Sequence, residues 1–219
     1  MTARRKYDSS RRRRDAQRTR RQVLERAGAL FFEHGFAGTT MAAIAASAGV
    51  SVELLYAEWG SKAGIVEALL RSALRGEEDG PPLERGPAVE EIRAAPTARG
   101  ALERYGGMLA RILPRLAPML RLLREGADSD ARLARMLESN GQDRLEGMGR
   151  FAAHLDERGA LAPGVSVERA RDVLWALNST ELYELLVERR GWDVDAYGEW
   201  VAGIMAAALL DGQTTAAGT

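Results

Sequence analysis

Two short helical stretches joined by a tight turn occupy residues 35–62, GFAGTTMAAIAASAGVSVELLYAEWGSK, and they constrain the fold more than any other part of the chain. Thr39 and Thr40 can cap the first stretch, because their hydroxyls accept hydrogen bonds from the unpaired N–H groups of a helix start. Gly49 can adopt the positive φ that the turn needs, and Ser51 can cap the second stretch. This order of elements predicts a helix-turn-helix, whose second helix enters the DNA major groove. On its own, the pattern also fits a plain helical hairpin.

The remaining sequence is also helical in its spacing. A capping box formed by Thr19 and Gln22 predicts a helix start near residue 19, and Gly35 ends that helix. One apolar stripe runs along it, formed by Val23, Leu24, Ala27, Leu30 and Phe31. Strand alternation does not occur at convincing length, so we predict an all-α fold.

Five further helices are predicted after residue 100. Their ranges are about 101–124, 128–139, 141–158, 166–190 and 193–211. Pro114 and Pro118 are expected to bend or split the first of them, because proline removes a backbone donor and clashes with the preceding turn. Turn residues such as Asn140-Gly141 separate the others.

Composition divides the chain into five segments. They are a basic arm at 1–18, expected to be disordered; a helix-turn-helix domain at 19–75, with the motif at about 40–59; a connector at 76–100; a larger helical domain at 101–212; and a flexible tail at 213–219. Four Gly and four Pro mark the connector, which is predicted to hold a short helix around Val89 to Arg93.

Charge is distributed unevenly along the chain, although the formal net charge is zero. Residues 1–21 contain ten Lys or Arg and two Asp, a net charge of +8, so the rest of the chain carries −8. Such an asymmetry suggests a polyanionic partner for the N-terminal segment. The alternative is an arm that is simply solvated.

The residues that common enzyme classes need are missing from the sequence. There is no Cys for disulfides or thiolate metal sites, and we find no Gly-rich phosphate loop and no nucleophile elbow. The two His residues, His34 and His154, are far apart on different predicted helices. We therefore expect no enzyme activity, no cofactor and no metal site. With no apolar run of about 18 residues and a charged N-terminus, the expected location is the cytoplasm.

Residues Val23 to Leu70 resemble the DNA-binding domain of the TetR family of bacterial transcription regulators. The matching motifs are Leu30-Phe31, Gly35-Phe36, Thr39-Thr40, Ile44-Ala45, Ala48-Gly49-Val50-Ser51, Leu55-Tyr56 and Gly60-Ser61-Lys62. Further along, Gly159-Ala160-Leu161, Asp172-Val173-Leu174-Trp175 and Gly191-Trp192 resemble a large subgroup of these regulators. The resemblance implies an N-terminal three-helix DNA-binding domain followed by a larger helical domain for dimerisation and ligand binding.

The resemblance also implies which residues meet DNA. Thr40, Tyr56 and Lys62 match positions that contact phosphates, whereas Ser51, Val52 and Glu53 match positions that face bases. The arm adds Arg11, Arg12, Arg13, Arg14 and Arg18, since arginines neutralise phosphates or enter a narrow minor groove. Where many members have His and Phe, this chain has Glu58 and Trp59. Glu58 is therefore expected to turn away from DNA or to pair with an arginine.

For the larger domain, the resemblance implies a homodimer and a ligand pocket. The candidate interface residues are Leu177, Leu185, Tyr197, Trp200, Val201, Ile204 and Met205, and the candidate pocket residues are Tyr105, Met108, Phe151, Trp175, Asn178, Glu181 and Tyr183. Each of these residues could instead belong to an ordinary core. The expected partners are a palindromic double-stranded operator and a small hydrophobic or amphipathic effector.

The function that the resemblance implies is a homodimeric repressor released from its operator by a ligand. Two alternatives remain open. One is a helical protein that binds nucleic acid through its basic arm without operator specificity. The other is a member of the same family that activates transcription or binds no ligand.

Overall fold

The computed structural model describes residues 3–76 and 80–210, with side chains from residue 11 onward. These ranges contain ten α-helices and no β-strand, and one isolated antiparallel bridge joins Leu161 to Leu210. The helices are α1 (Ala3–Gly38), α2 (Met41–Ala48), α3 (Val52–Trp59), α4 (Lys62–Arg75), α5 (Pro87–Arg93), α6 (Ala98–Gly126), α7 (Ala131–Glu157), α8 (Val167–Leu177), α9 (Thr180–Tyr183) and α10 (Val194–Leu209). The predicted all-α fold is confirmed, while the predicted tail at 213–219 lies outside the described residues.

Helix α1 begins at Ala3, so both the predicted helix start near residue 19 and the disordered arm are wrong for residues 3–18. Thr19 does not cap a helix. Its hydroxyl donates instead to the backbone oxygen of Asp15, one turn earlier, at 3.1 Å. The Asp15 carboxylate also pairs with the arginines four residues before it and three residues after it, and such pairs support a helix. Arg, Gln and Ala are good helix formers, so the basic segment continues the helix that the apolar stripe begins.

The connector contains a short 3-10 turn at Leu83–Arg85, and α5 confirms the predicted short helix. Helix α6 then runs through both of its prolines without being split. Pro114 is exposed and Pro118 is half-buried, whereas Leu113 and Ala117 beside them are buried. Packing on both sides of the prolines therefore holds one helix together.

Two predicted boundaries in the larger domain are wrong. Asn140-Gly141 does not separate two helices but lies inside α7, where a single glycine costs only about 1 kcal/mol. The predicted helix 166–190 instead breaks after Leu177. Ser179 caps α9 by accepting a hydrogen bond from the Leu182 N–H, and α9 continues as a π-helical turn at Glu184–Arg189.

Two hydrophobic cores share helix α6. The first core lies among α1 to α4 and the ends of α6 and α7, and its largest fully buried side chains are Phe31, Ile44, Leu55, Ile65, Leu123 and Leu133. The second lies among α5 to α10, and its largest are Leu102, Leu113, Leu155, Leu174, Tyr197 and Met205. Helix α6 therefore connects the helix-turn-helix to the larger helical domain through packed side chains.

Two glycines let α6 and α10 approach each other closely in the second core. A Cβ added at Gly106 would lie 2.2 Å from the carbonyl oxygen of Gly198, and a Cβ at Gly198 would lie 2.7 Å from that of Gly106. The neighbouring contacts are made by the small side chains of Ala110 and Ala202. This backbone contact determines which face of α10 points inward.

Within residues 3–76 and 80–210, no single helix is both long and apolar enough to cross a membrane. Helices α2 and α3 reach that length and composition only when they are counted together, and they are bent by 110°.

Candidate nucleic-acid interface and ligand cavity

Side-chain caps and one left-handed glycine define the turn between α2 and α3. The Thr40 hydroxyl accepts a hydrogen bond from the Ala43 N–H at 3.1 Å, and the Ser51 hydroxyl accepts one from the Leu54 N–H at 3.2 Å. Gly49 has φ 67° and ψ 36°, a conformation that costs a residue with a Cβ about 1–2 kcal/mol. The two helices meet at 110°, so the predicted helix-turn-helix is confirmed.

One face of α3 is open to solvent. Of the three residues predicted to face bases, Ser51 and Glu53 are exposed, whereas Val52 is half-buried and packs against the first core. Leu54, which the sequence reasoning missed, is 43% exposed. Its neighbour Leu55 is fully buried. The sequence did indicate that one of the two leucines is exposed, because adjacent residues on a helix lie about 100° apart and cannot both face one core.

The predicted phosphate contacts Thr40 and Tyr56 are also accessible. Thr40 is exposed, and Tyr56 is 52% exposed at the outer surface of α3. Both side chains can donate a hydrogen bond from a hydroxyl.

Lys62 lies against the backbone of its own domain. Its Nζ donates to the carbonyl oxygen of Phe36 at 2.5 Å and to that of Thr39 at 2.8 Å, and it lies 4.1 Å from the centre of the Phe36 ring. These carbonyls follow Gly35, where a φ of 70° interrupts α1. Burial lowers the pKa of Lys62, and Asp130 partly opposes this shift. A phosphate contact by Lys62 would therefore compete with these hydrogen bonds.

Glu58 pairs with an arginine, as predicted. It forms an ion pair with Arg20 on α1, and the Arg20 guanidinium also lies 5.4 Å from the centre of the Trp59 ring. The carboxylate is thus neutralised from within the protein, and α1 is attached to the end of α3.

The basic arm is an extension of α1 with exposed arginines. Arg11, Arg12, Arg13, Arg14 and Arg18 are all exposed. A helix rises 1.5 Å per residue, so Arg11 lies about 13 Å further along α1 than Arg20, which contacts α3. The arginines therefore project beyond the end of the helix-turn-helix.

A cavity of about 870 Å³ lies between α4, α5, α6 and α7. Its wall includes four of the predicted pocket residues: Tyr105, Met108, Phe151 and Asn178. The other three predicted pocket residues lie elsewhere. Trp175 is exposed beneath Arg144, Glu181 pairs with Arg124 at 3.1 Å, and Tyr183 is buried edge-on against Tyr197. Glu181 and Tyr183 follow the break after Leu177, so the faces of α9 differ from those of the continuous helix that was predicted.

A buried polar cluster forms part of the cavity wall. The Asn178 amide nitrogen donates to the Tyr105 hydroxyl at 2.6 Å, and that hydroxyl donates to the Met148 sulfur at 3.3 Å. Burial raises the pKa of Tyr105 to about 12, although the hydrogen bond from Asn178 opposes the shift. Tyr105 is therefore a neutral donor over the physiological pH range.

The predicted dimer residues divide into two groups. Tyr197, Val201 and Met205 are fully buried inside the protomer, so the prediction that they lie at an interface is wrong. The close approach at Gly106 and Gly198 turns that stripe of α10 towards α6. Ile204 and Leu185 are 39% and 48% exposed, and Trp200 and Leu177 are half-buried.

Two tryptophans extend the exposed part of this surface. Trp175 is 39% exposed and Trp192 is 37% exposed. Trp192 also packs edge-on against Trp200, with the ring centres 5.4 Å apart. The sequence reasoning did not single out Trp192 for the interface, and it assigned Trp175 to the pocket. Together with Leu185 and Ile204, these two tryptophans are the exposed large apolar side chains of the larger domain among the described residues, and we call them the exposed apolar surface.

Comparison with known proteins gives results that agree with this geometry. Residues 23–69 match the family model described as bacterial regulatory proteins, tetR family. The HTH-type transcriptional regulator TtgR of Pseudomonas putida is 45% identical over 58 residues, which cover 26% of this chain and 28% of that protein. The match therefore spans little more than a quarter of that relative.

Solved structures match over most of the chain at low sequence identity. NalD, the secondary repressor of the MexAB-OprM multidrug efflux pump in Pseudomonas aeruginosa, has a TM-score of 0.69 at 22% identity, covering 90% of this chain and all of that one. SmeT, solved as a complex with triclosan, has a TM-score of 0.66 at 22% identity, covering 92% and 96%. At this identity the likeness concerns the fold.

Together, the fold and the site define an all-helical protein with an N-terminal helix-turn-helix and a larger helical domain. Within this protein, the helix-turn-helix region of residues 23–69 is similar to that of the tetR family of bacterial regulatory proteins.

Proposed function

We propose that this protein is a sequence-specific DNA-binding transcriptional regulator of the cytoplasm, a homodimeric repressor that a small-molecule ligand releases from its operator. The observation that carries this proposal is the capped helix α3, which presents Ser51, Glu53 and Leu54 to solvent from a helix-turn-helix. TtgR, named as a transcriptional regulator, and NalD, named as a repressor, support it.

Base recognition is assigned to the exposed start of α3. Glu53 can accept a hydrogen bond from a cytosine amino group in the major groove, and Ser51 can reach either kind of base edge. Thr40 and Tyr56 are assigned to phosphates. Val52 contributes less, because it packs against the protein core.

The arm supplies the long-range attraction to DNA. Residues 22–75 contain four Lys or Arg and five Glu, so the helix-turn-helix is nearly neutral. Non-specific affinity comes mainly from neutralised phosphates, and Arg11 to Arg14 with Arg18 are the exposed cations nearby. As a helical rod, the arm would lie along the DNA backbone beside the half-site.

Dimerisation is assigned to the exposed apolar surface. One short recognition helix reads too few base pairs for a useful specificity ratio, and two such helices related by a two-fold axis would read a palindrome. Large apolar side chains left exposed in one domain are candidates for an interaction surface.

The proposal is tested by selecting binding sites from randomised duplex DNA. The wild-type protein should recover a palindromic consensus. Glu53→Ala should change the preferred base at one position per half-site, by roughly 1–3 kcal/mol. Glu33→Ala, which removes an exposed acid from α1, is the matched control and should leave the consensus unchanged. If the wild-type protein recovers no consensus, the proposal is overturned.

Deletion of residues 1–14 separates the regulator from a protein that binds through its arm alone. The deletion removes seven Lys or Arg and one Asp per subunit. A regulator should keep its consensus, with weaker binding and a shallower dependence of log K on log salt. Loss of all sequence preference would instead support the arm-only alternative, and an unchanged salt slope would mean that the arm does not contact phosphate.

Two adjacent residues of α10 test the dimer surface. Ile204→Glu should give a folded monomer with weak operator binding, because Ile204 is exposed, whereas Met205→Glu should destabilise the protomer, because Met205 is fully buried. Sedimentation and circular dichroism distinguish these outcomes. A fully dimeric Ile204→Glu protein would show that the interface does not include Ile204.

A further inference from the structure

The polar cluster of Tyr105, Met148 and Asn178 contains an unsatisfied acceptor. Asn178 is only 7% exposed, and its amide nitrogen is used by the Tyr105 hydroxyl and, at 3.4 Å, by the Met148 sulfur. Among the described residues, nothing donates to its buried Oδ1. Buried polar atoms almost always have a partner, so this oxygen is a place where a ligand can supply one.

The same cluster contains a donor that is poorly used. The Tyr105 hydroxyl proton points to the sulfur of Met148, and a thioether is a weak acceptor. Tyr105, Met148 and Asn178 all line the cavity. A ligand oxygen could therefore take the Tyr105 proton in place of the sulfur.

Arg144 places a positive charge near the cluster, and the acidic residues Asp143 and Glu146 also line the cavity. Arg144 itself lines the cavity, its guanidinium lies 4.7 Å from the centre of the Trp175 ring, and it donates to the backbone oxygen of Asn178 at 3.4 Å. Among the described residues, no carboxylate lies within ion-pair distance of it. Burial lowers the pKa of Arg144, with Glu181 opposing the shift. A ligand ammonium group next to the cluster would have no acceptor that Arg144 leaves unopposed, whereas a neutral group meets no such charge.

Away from the cluster, the cavity wall is mostly apolar. Met108, Leu109, Ile112, Leu113 and Phe151 are buried in the protein and line the cavity. Pockets of this kind bind the apolar body of a ligand, while a few polar groups determine its orientation.

We propose that the cavity binds a neutral, largely apolar molecule through a hydroxyl group, which donates to Oδ1 of Asn178 and accepts from the hydroxyl of Tyr105. A hydroxyl is the simplest group that both donates and accepts. A carboxylate can only accept hydrogen bonds, so it could not donate one to Oδ1 of Asn178. This inference rests on the effector-binding role proposed above and gives that effector a chemical class.

The test uses four probes that share the biphenyl ring system: biphenyl, 4-phenylphenol, 4-phenylbenzoate and 4-phenylbenzylamine. Their affinities are measured by calorimetry on the DNA-free, full-length protein, so the outcome does not depend on operator binding. We expect 4-phenylphenol to bind about tenfold more tightly than biphenyl, the factor that one buried hydrogen bond supplies. The benzoate and the benzylamine should bind more weakly than the phenol.

Variants then assign the preference to the cluster. Asn178→Leu should remove the preference for 4-phenylphenol over biphenyl. Because Asn178 also ends α8, Tyr105→Phe provides a second variant, which should reduce the preference for 4-phenylphenol over biphenyl about threefold. Tyr183→Phe is the matched control, since Tyr183 is a buried tyrosine outside the cavity wall, and it should behave as wild type.

Three results would overturn the inference. Equal binding of biphenyl and 4-phenylphenol would mean that the cavity is only apolar. Preference for the benzoate would assign the site to an anion held by Arg144. If none of the probes binds, the cavity is not a ligand site for this class, and the selection of DNA sites described above still decides the regulatory function by itself.

Discussion

The helix-turn-helix and the larger helical domain differ in what ends their helices. In the first, every boundary between α2 and α4 coincides with a local signal: Thr40, Ser51 and Ser61 cap helix starts, and Gly49 and Gly60 follow helix ends with positive φ. In the second, side-chain caps such as Thr97 and Asp130 also begin helices, but two prolines lie inside α6 and glycines such as Gly106 and Gly141 lie inside α6 and α7. Local signals thus decide where short helices end, while burial along a long helix can override the same residue types.

Gly106→Ala tests the larger domain and should have the largest effect. The added Cβ would lie 2.2 Å from the Gly198 carbonyl oxygen and 3.0 Å from the Ala202 Cβ, so α6 and α10 would have to separate. We expect a loss of about 3 kcal/mol in the free energy of unfolding, measured by urea titration. Gly141→Ala is the control, because no heavy atom lies within 4 Å of its added Cβ, and it should stabilise α7 by roughly 0.5–1 kcal/mol. Equal effects would mean that the close approach is not required.

Gly49→Ala tests the helix-turn-helix, where the backbone and not a contact requires glycine. No heavy atom lies within 4 Å of the added Cβ, but φ is +67°. The free energy of unfolding should fall by about 1–2 kcal/mol, and operator affinity should fall with it because α3 is reoriented. Gly49→Asn should retain most of the stability and most of the operator affinity, since Asn tolerates this conformation. A Gly49→Ala protein that behaves as wild type would show that the turn can adopt another geometry.

Lys62→Met decides between the two roles available to this side chain. If the hydrogen bonds to Phe36 and Thr39 are its main role, the free energy of unfolding should fall by about 1 kcal/mol, and the salt dependence of DNA binding should be unchanged. A contact to phosphate would instead lower the salt slope by about one and leave stability alone. We expect the first outcome, and thermal unfolding together with binding titrations at several salt concentrations would measure both.

The buried Tyr105 should give the smallest effect, visible only at high pH. Its folded pKa is raised from 10.0 to about 12, so the unfolded chain releases this proton first. The contribution of the protonated Tyr105 to the free energy of unfolding is constant below pH 10 and is lost as the pH rises from 10 towards 12. Between pH 8 and pH 10.5, the free energy of unfolding should fall by about 0.8 kcal/mol more in the wild-type protein than in Tyr105→Phe. Parallel pH profiles of the two proteins would contradict the assignment.

The sequence predicted less of the site than of the fold. Ser51 and Glu53 are exposed as expected, but Val52 packs inward and Leu54 points outward. In the cavity, four of seven predicted residues lie in the wall. Glu181 and Tyr183 were misplaced because the cap at Ser179, a residue type typical of helix starts, was read as part of a continuous helix.

By itself, the sequence determined the all-α class and the helix-turn-helix boundaries. Caps and left-handed glycines act within three or four residues, so their signal is complete in the local sequence. Only the tertiary structure decided which face of α10 is buried, since an apolar stripe does not specify the helix that will cover it. The approach of Gly106 to Gly198 turns Tyr197 inward and leaves Ile204 outside. Lys62 and Asn178 likewise meet their partners across 23 to 73 positions of chain, a distance over which contacts exist only once the helices have packed.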